Sequence, residues 1–132
     1  MSSRDALRAI ITRHCAWLEV QVEEIDAALS AEAGDGHGDE TVEKLHELVH
    51  QITGASGTVG FHEVSSVSAD LEKHLKSLRD REVTAFSGSE RLKAVELFDR
   101  LRRVIAGVSP DRSTLYNTDI KKVGGPRWDM TI

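Results

Sequence analysis

The sequence predicts an all-α fold, an antiparallel up-down-up-down four-helix bundle with an irregular C-terminal tail. Three observations carry this reading. Apolar residues recur at three- and four-residue steps through four separate stretches. The breaks between those stretches are short and marked by Gly, Ser and acidic residues. Aromatics make up only 5% of a chain that is 39% hydrophobic, so a core must be assembled mainly from Leu, Val, Ile and Ala. No stretch of convincing length reads as a strand, and no internal repeat is visible. Short connections between amphipathic helices favour antiparallel neighbours.

The first helix begins after Ser2 and Ser3, with Asp5 near its start, where a carboxylate favours the helix dipole. Leu7, Ile10, Ile11, Cys15, Leu18, Val22, Ile25 and Leu29 form one apolar stripe of about seven turns. Whether it continues unbroken past His14 is left open. The run AEAGDGHGDE, residues 31–40, has no periodicity and ends the helix as a loop, in which His37 reads as solvated. The second helix starts at Asp39 to Thr41. It turns Val42, Leu45, Leu48, Val49 and Ile52 inward and Glu43, Lys44, Glu47 and Gln51 outward. The third runs from about His62 to Arg81 with Val64, Val67, Leu71, Leu75 and Leu78 inward. The fourth runs from about Ser89 to Gly107, with Ser87 or Ser89 as cap. Leu92, Val95, Leu97, Phe98, Leu101, Val104 and Ile105 supply its apolar face, and Gly107 and Pro110 stop it. Residues 1–108 are thus expected to form the bundle, and residues 109–132 an irregular, mobile tail. Tyr116 and Trp128 are the tail's large anchors, and docking through Trp128 is the alternative.

The bulk properties narrow the function. A chain of 132 residues suits one domain. A formal net charge of -5 and a pI near 5.7 argue against nucleic-acid binding, which calls for a basic stripe. The single cysteine, Cys15, excludes an internal disulfide and a Cys-rich metal cluster, and it reads as a packing residue. No apolar run approaches the roughly 20 residues that span a membrane. The start MSSRDALRAI lacks the basic and long apolar segments of a signal peptide. The cytoplasm is the expected location.

The informative stretch is HELVHQITGASGTVGF, residues 46–61. Its first five residues fit H-E-x-x-H, in which two histidines one helical turn apart bind zinc and the Glu is a general base. Here these are His46, Glu47 and His50. The longer form of that motif needs glycine at position 53 and histidine at 56, where this chain has Thr53 and Ser56. Glu63 and Glu72 are candidate third ligands, but neither sits in a ligand motif.

Read onward, positions three, four and seven after His50 share its helix face. They are Thr53, Gly54 and Gly57. Glycine inside a helix costs roughly 1 kcal/mol relative to alanine. Two of them beside one histidine imply either close helix packing or clearance for a partner's surface. His50, Ile52, Gly54, Ala55, Ser56, Val59 and Gly60, with the pair Leu71–Glu72 on the next helix, stand at matching positions of a family motif. In these residues the chain resembles the histidine phosphotransfer (HPt) domain family, over roughly residues 5–107.

The resemblance implies a phosphoryl carrier without a catalytic site of its own. His50 would accept the group from a receiver-domain phospho-aspartate and pass it to another receiver. Gln51 and Thr53 would hydrogen-bond phosphoryl oxygens, and Gly54 and Gly57 would give clearance. No cofactor or metal is implied on this chain, because the magnesium belongs to the receiver. The implied partners are receiver domains of a hybrid sensor kinase and of response regulators, met by a monomer. Val49, Ala55, Val59 and Phe61 are candidates for an apolar docking patch or for the core behind it. The chain departs from the family at Thr53, where a lysine is usual; Lys44, Lys73 and Lys76 are candidate substitutes. Two other readings remain: an HPt-like adaptor that binds receivers or kinases without carrying phosphate, and a zinc hydrolase built on HELVH. Of the remaining histidines, His46 reads as solvated, His62 as a helix start that caps or packs, and His14 and His74 as ordinary helix residues.

Overall fold

In the computed structural model, residues 2–31, 38–82 and 86–117 are described. They form α1 (Ser3–Ala31), α2 (Gly38–Val59), α3 (His62–Asp80) and α4 (Gly88–Ala106), followed by a 3-10 turn at Pro110–Arg112. The helices pack as an up-down-up-down bundle, and the described residues contain no strand. The most extensive contact is α2 on α3, then α3 on α4 and α1 on α2; α1 and α4 close the ring. Antiparallel pairing of α2 with α3 is visible in three contacts that move in opposite directions along the chain. His50 meets Glu72, Thr53 meets Ser68 and Gly57 meets Ser65.

Each helix contributes one stripe to a single core. On α1 the fully buried positions are Ile11, Leu18 and Ile25, spaced by seven, and the helix runs through His14 without a break. Ile10, one residue before Ile11 and so about 100° round the helix, is 46% exposed instead of joining the stripe. On α4 the buried face is Ala94, Phe98, Leu101 and Ile105. Leu92 lies two residues before Ala94, on the opposite side, and is 60% exposed. An apolar side chain is permitted on either face, so composition alone places such residues wrongly. Phe86, just before α4, closes the core at 3% exposure.

The α2–α3 connection is the tightest in the fold and sets the register of the two helices. Phe61 N–H reaches back to Ser56 O at 2.8 Å and Gly60 N–H to Gly57 O at 3.3 Å. This is the paired bonding of a Schellman helix stop. It requires a left-handed residue, and Gly60 has φ +93°. Space demands glycine as well, because a Cβ there would lie 2.7 Å from Ser113 Oγ and 2.8 Å from Thr114 Oγ1.

That crowding comes from the segment after α4. Ser113 Oγ donates to Val59 O at 2.7 Å, and Thr114 N–H to Gly60 O at 3.1 Å. Carbonyls at the end of α2 that lack a partner within the helix thus find one in the tail. Arg8 holds the same segment from the other side. Its Nε donates to Tyr116 O at 3.0 Å, and its guanidinium lies 4.1 Å from the centre of the Tyr116 ring. Residues 113–117, read from sequence as part of an irregular tail, are therefore tied to the bundle through Tyr116. His37 and Trp128 lie outside the described residues. Among the described residues, no helix is long and apolar enough to cross a membrane.

Candidate functional site

His50 sits in mid-α2 with its side chain 68% exposed. Val49 and Ile52, its neighbours along the chain, are fully buried and anchor the helix on either side of it. Across the seam, α3 brings Glu72 to it: His50 Nδ1 and Glu72 Oε2 are 2.7 Å apart. Partial burial raises the Glu72 carboxyl, but hydrogen bonding from His50 and Thr53, and the charge that the two nearby imidazoles carry at the acidic pH where a carboxyl titrates, outweigh it. The group is held below its ordinary value. Near neutral pH Glu72 is therefore an ionised, acceptor-only group. The His50 hydrogen must lie on Nδ1, which leaves the Nε2 lone pair free.

Glu72 also faces His46, whose Nε2 is 3.9 Å from the same Oε2. The two histidine rings lie nearly parallel, 10° between planes and 6.0 Å between centroids. His46 is only 12% exposed, so it is not the solvated residue expected from sequence. Its Nδ1 is 3.2 Å from Arg79 Nη1. Burial first, and then the Arg79 charge, push its pKa below the ordinary value.

The structure separates the other residues singled out from the sequence. Gln51 is exposed beside His50. Gly54 faces open space, with nothing within 4 Å of where a Cβ would stand. Gly57 faces α3. A Cβ there would lie 3.1 Å from Ser65 Oγ, so this glycine lets α3 approach α2. Thr53 turns inward as well. Its hydroxyl is 3.0 Å from Val49 O and 2.9 Å from Ser68 Oγ, and Ser65 Oγ donates to Thr53 O at 2.8 Å. Its hydroxyl thus lies among the seam acceptors and the Glu72 carboxylate, and turns toward α3 rather than outward beside the His50 ring. At this position the chain has a part-buried hydroxyl ladder.

Of the candidate replacements for that cation, Lys73 lines the α3–α4 groove with Asp70, His74 and Lys93. Lys44 lines an acidic groove with Glu40, Glu43 and Glu47. Lys76 is exposed one turn beyond Glu72, on the same edge of α3. The candidate docking patch resolves largely into core. Val49 and Phe61 are 0% and 5% exposed, while Ala55 and Val59 are half-buried.

The remaining histidines have structural partners. His14 is buried and stacks at 5.7 Å on Phe61. Its Nε2 is 3.0 Å from Ser56 Oγ, and burial lowers its pKa. His74 bonds Glu90 O at 2.9 Å across α3–α4, and His62 opens α3 beside Thr114. Among the described residues, no three His, Cys, Asp or Glu side chains form a group able to hold a metal ion.

The site is therefore an exposed, carboxylate-paired histidine on the outer face of a helical bundle. The family comparison agrees. The model of the Hpt domain matches residues 9–107, most of the chain, and the protein belongs to that family. Hpt domains are phosphoryl carriers that exchange the group with receiver domains in phosphorelays. Searches of curated proteins and of solved structures gave no match.

The sequence singled out His50 and the Leu71–Glu72 pair, and set Glu72 beside His50 only as a candidate zinc ligand, not as a hydrogen-bond partner. The signal was available. A turn at Gly60–Phe61 between two antiparallel helices folds position 50 onto positions 71 and 72. The Arg79–His46 contact and the burial of His14 left no such trace, because both depend on how far the helices rotate about their axes.

Proposed function

We propose that this chain is a monomeric histidine phosphocarrier that receives a phosphoryl group on Nε2 of His50. The donor is the phospho-aspartate of a receiver domain, in the setting of a hybrid sensor kinase, and the acceptor is the aspartate of a response-regulator receiver. The observation that carries the reading is the 2.7 Å contact between His50 Nδ1 and Glu72 on a side chain otherwise open to solvent.

The chemistry asks little of the carrier. Phosphoryl transfer depends mainly on positioning and electrostatics, and the receiver supplies the metal ion and acidic pocket. The Nε2 lone pair attacks phosphorus as the bond to the aspartate oxygen breaks, and the aspartate leaves as carboxylate. No proton has to move. The imidazole keeps its hydrogen on Nδ1 and becomes a phosphoimidazolium, whose positive charge Glu72 stabilises through that hydrogen. Return transfer reverses each step. Gly54, open to solvent one turn on, leaves room for the receiver surface to reach the ring, and Gln51 is the exposed donor beside it.

The test is transfer of labelled phosphate from a panel of charged receivers to the wild type and to His50→Gln. Acid-labile, alkali-stable label in the wild type alone is expected. Receiver binding without label would favour the adaptor reading instead.

A further inference from the structure

HELVH contributes more to this site than its second histidine. His46 is one turn before His50, nearly buried, with its ring parallel to that of His50. Arg79 Nη1 donates to His46 Nδ1 at 3.2 Å. A guanidinium has only hydrogens to give, so Nδ1 is the acceptor and the ring hydrogen of His46 sits on Nε2. That Nε2 is buried and has no hydrogen-bond partner. A buried N–H without a partner is costly to keep. This one is 3.9 Å from Glu72 Oε2, the oxygen that His50 uses.

We propose that His46, its tautomer fixed by Arg79, is a positioning residue of the phospho-accepting site. It directs its N–H at Glu72 Oε2 and lies parallel to the His50 ring beside it. The inference rests on the carrier reading of His50 and deepens it.

Two consequences follow from the geometry. The N–H dipoles of both imidazoles converge on one carboxylate oxygen, which keeps Glu72 ionised and its Oε2 facing His50 Nδ1. The parallel ring of His46 flanks that of His50, 6.0 Å away between centroids, and narrows the orientations open to it. The chain Arg79–His46–Glu72–His50 crosses the α2–α3 seam at each step, so it also reports the register of the two helices. Burial and the Arg79 charge keep His46 neutral. As an imidazolium it would lose the Arg79 hydrogen bond and compete with His50 for Glu72.

The test is the tautomer of each ring, read by long-range proton–nitrogen correlation on unphosphorylated protein labelled at histidine. The proteins are the wild type, Arg79→Ala, Arg79→Lys and His46→Phe, and the rate of phosphoryl acceptance is measured on each. In the wild type, His46 carries its hydrogen on Nε2 and His50 on Nδ1. Arg79→Ala is expected to release the His46 tautomer, to shift His50 toward the Nε2–H form and to slow acceptance several-fold. Arg79→Lys restores a donor and should recover part of both effects. His46→Phe keeps the stacked ring but removes the N–H, and should shift His50 as Arg79→Ala does.

Folded Arg79→Ala and His46→Phe proteins in which His50 keeps its tautomer and its rate would overturn the proposal and leave His46 a packing residue. If Arg79→Ala does not fold, His46→Phe decides by the same two readings. Because the tautomer is read without phosphate, this result stands even if no receiver transfers. That failure would count against the carrier reading alone.

Discussion

Helix α2 carries two seams that treat a histidine in opposite ways. Against α1, the seam is apolar and closed. His14 lies against Trp17 and Phe61, with the Ser56 hydroxyl as its hydrogen-bond partner. Against α3, the seam is lined with hydroxyls from Thr53, Ser65 and Ser68 and opens onto His50, His46 and Glu72. The first seam makes a histidine part of the core and holds it neutral. The second suits a histidine to the nucleophilic role proposed for His50, because a carboxylate fixes one nitrogen and solvent reaches the side chain. Residue type is common to both seams; the partner and the exposure make the difference.

The comparison can be broken most severely at Gly54. A long side chain there occupies the open space beside His50 without touching the core. Gly54→Arg is expected to abolish transfer while the circular dichroism spectrum and melting curve stay those of a folded bundle. Normal transfer in this variant would remove the clearance argument. Next in size is Glu72→Gln, which keeps shape but loses the charge. A hydrogen bond to a charged group contributes about 1.5–3 kcal/mol, so phosphoryl acceptance should slow by roughly ten- to a hundredfold, measured in single-turnover transfer.

Gly57→Leu sharpens the contrast between two glycines that share a helix face. Overpacking the seam against Ser65 should cost about 1–3 kcal/mol of stability, read by urea unfolding, with transfer per folded molecule largely kept. A variant that loses transfer and keeps its stability would return Gly57 to the docking surface.

The smallest effect concerns pH and the closed seam. His14 and His46 both bind protons less readily folded than unfolded. Below about pH 6.5, the ordinary histidine value, the unfolded chain takes up protons that the bundle resists, so stability falls as pH drops through that point. Glu72, also lowered, adds to the loss only at more acidic pH, as the carboxylate range is entered. In urea titrations at pH 7.5 and pH 5.5, His14→Gln should reduce this difference without removing it, since His46 contributes with the same sign. An unchanged difference would mean that His14 titrates freely in the folded state.

Much of this was legible in the sequence, for reasons that differ from residue to residue. Helix positions followed from periodicity because the core stripes are regular, as in Ile11, Leu18 and Ile25. Helix stops followed from glycine, and at Gly60 both backbone angle and space demand it. His50 stood out because Gly54 lies one turn further on. What could not be read was rotation about the helix axis. It decides that Ile10 and Leu92 face outward, that Thr53 turns toward Ser68, and that Gly57 faces Ser65 while Gly54 faces solvent. Nor does periodicity reveal the docking of residues 113–117, which rests on backbone carbonyls at the end of α2 that seek a donor.

The central claim is that Glu72 holds the hydrogen of His50 on Nδ1 and so makes Nε2 the atom that carries phosphate. The most direct measurement is long-range proton–nitrogen correlation on the phosphorylated, histidine-labelled protein, which identifies both the residue and the ring nitrogen bonded to phosphorus. The account predicts phosphate on Nε2 of His50, with Nδ1 still protonated against Glu72. Phosphate on Nδ1 of His50, or on any other side chain, would contradict it.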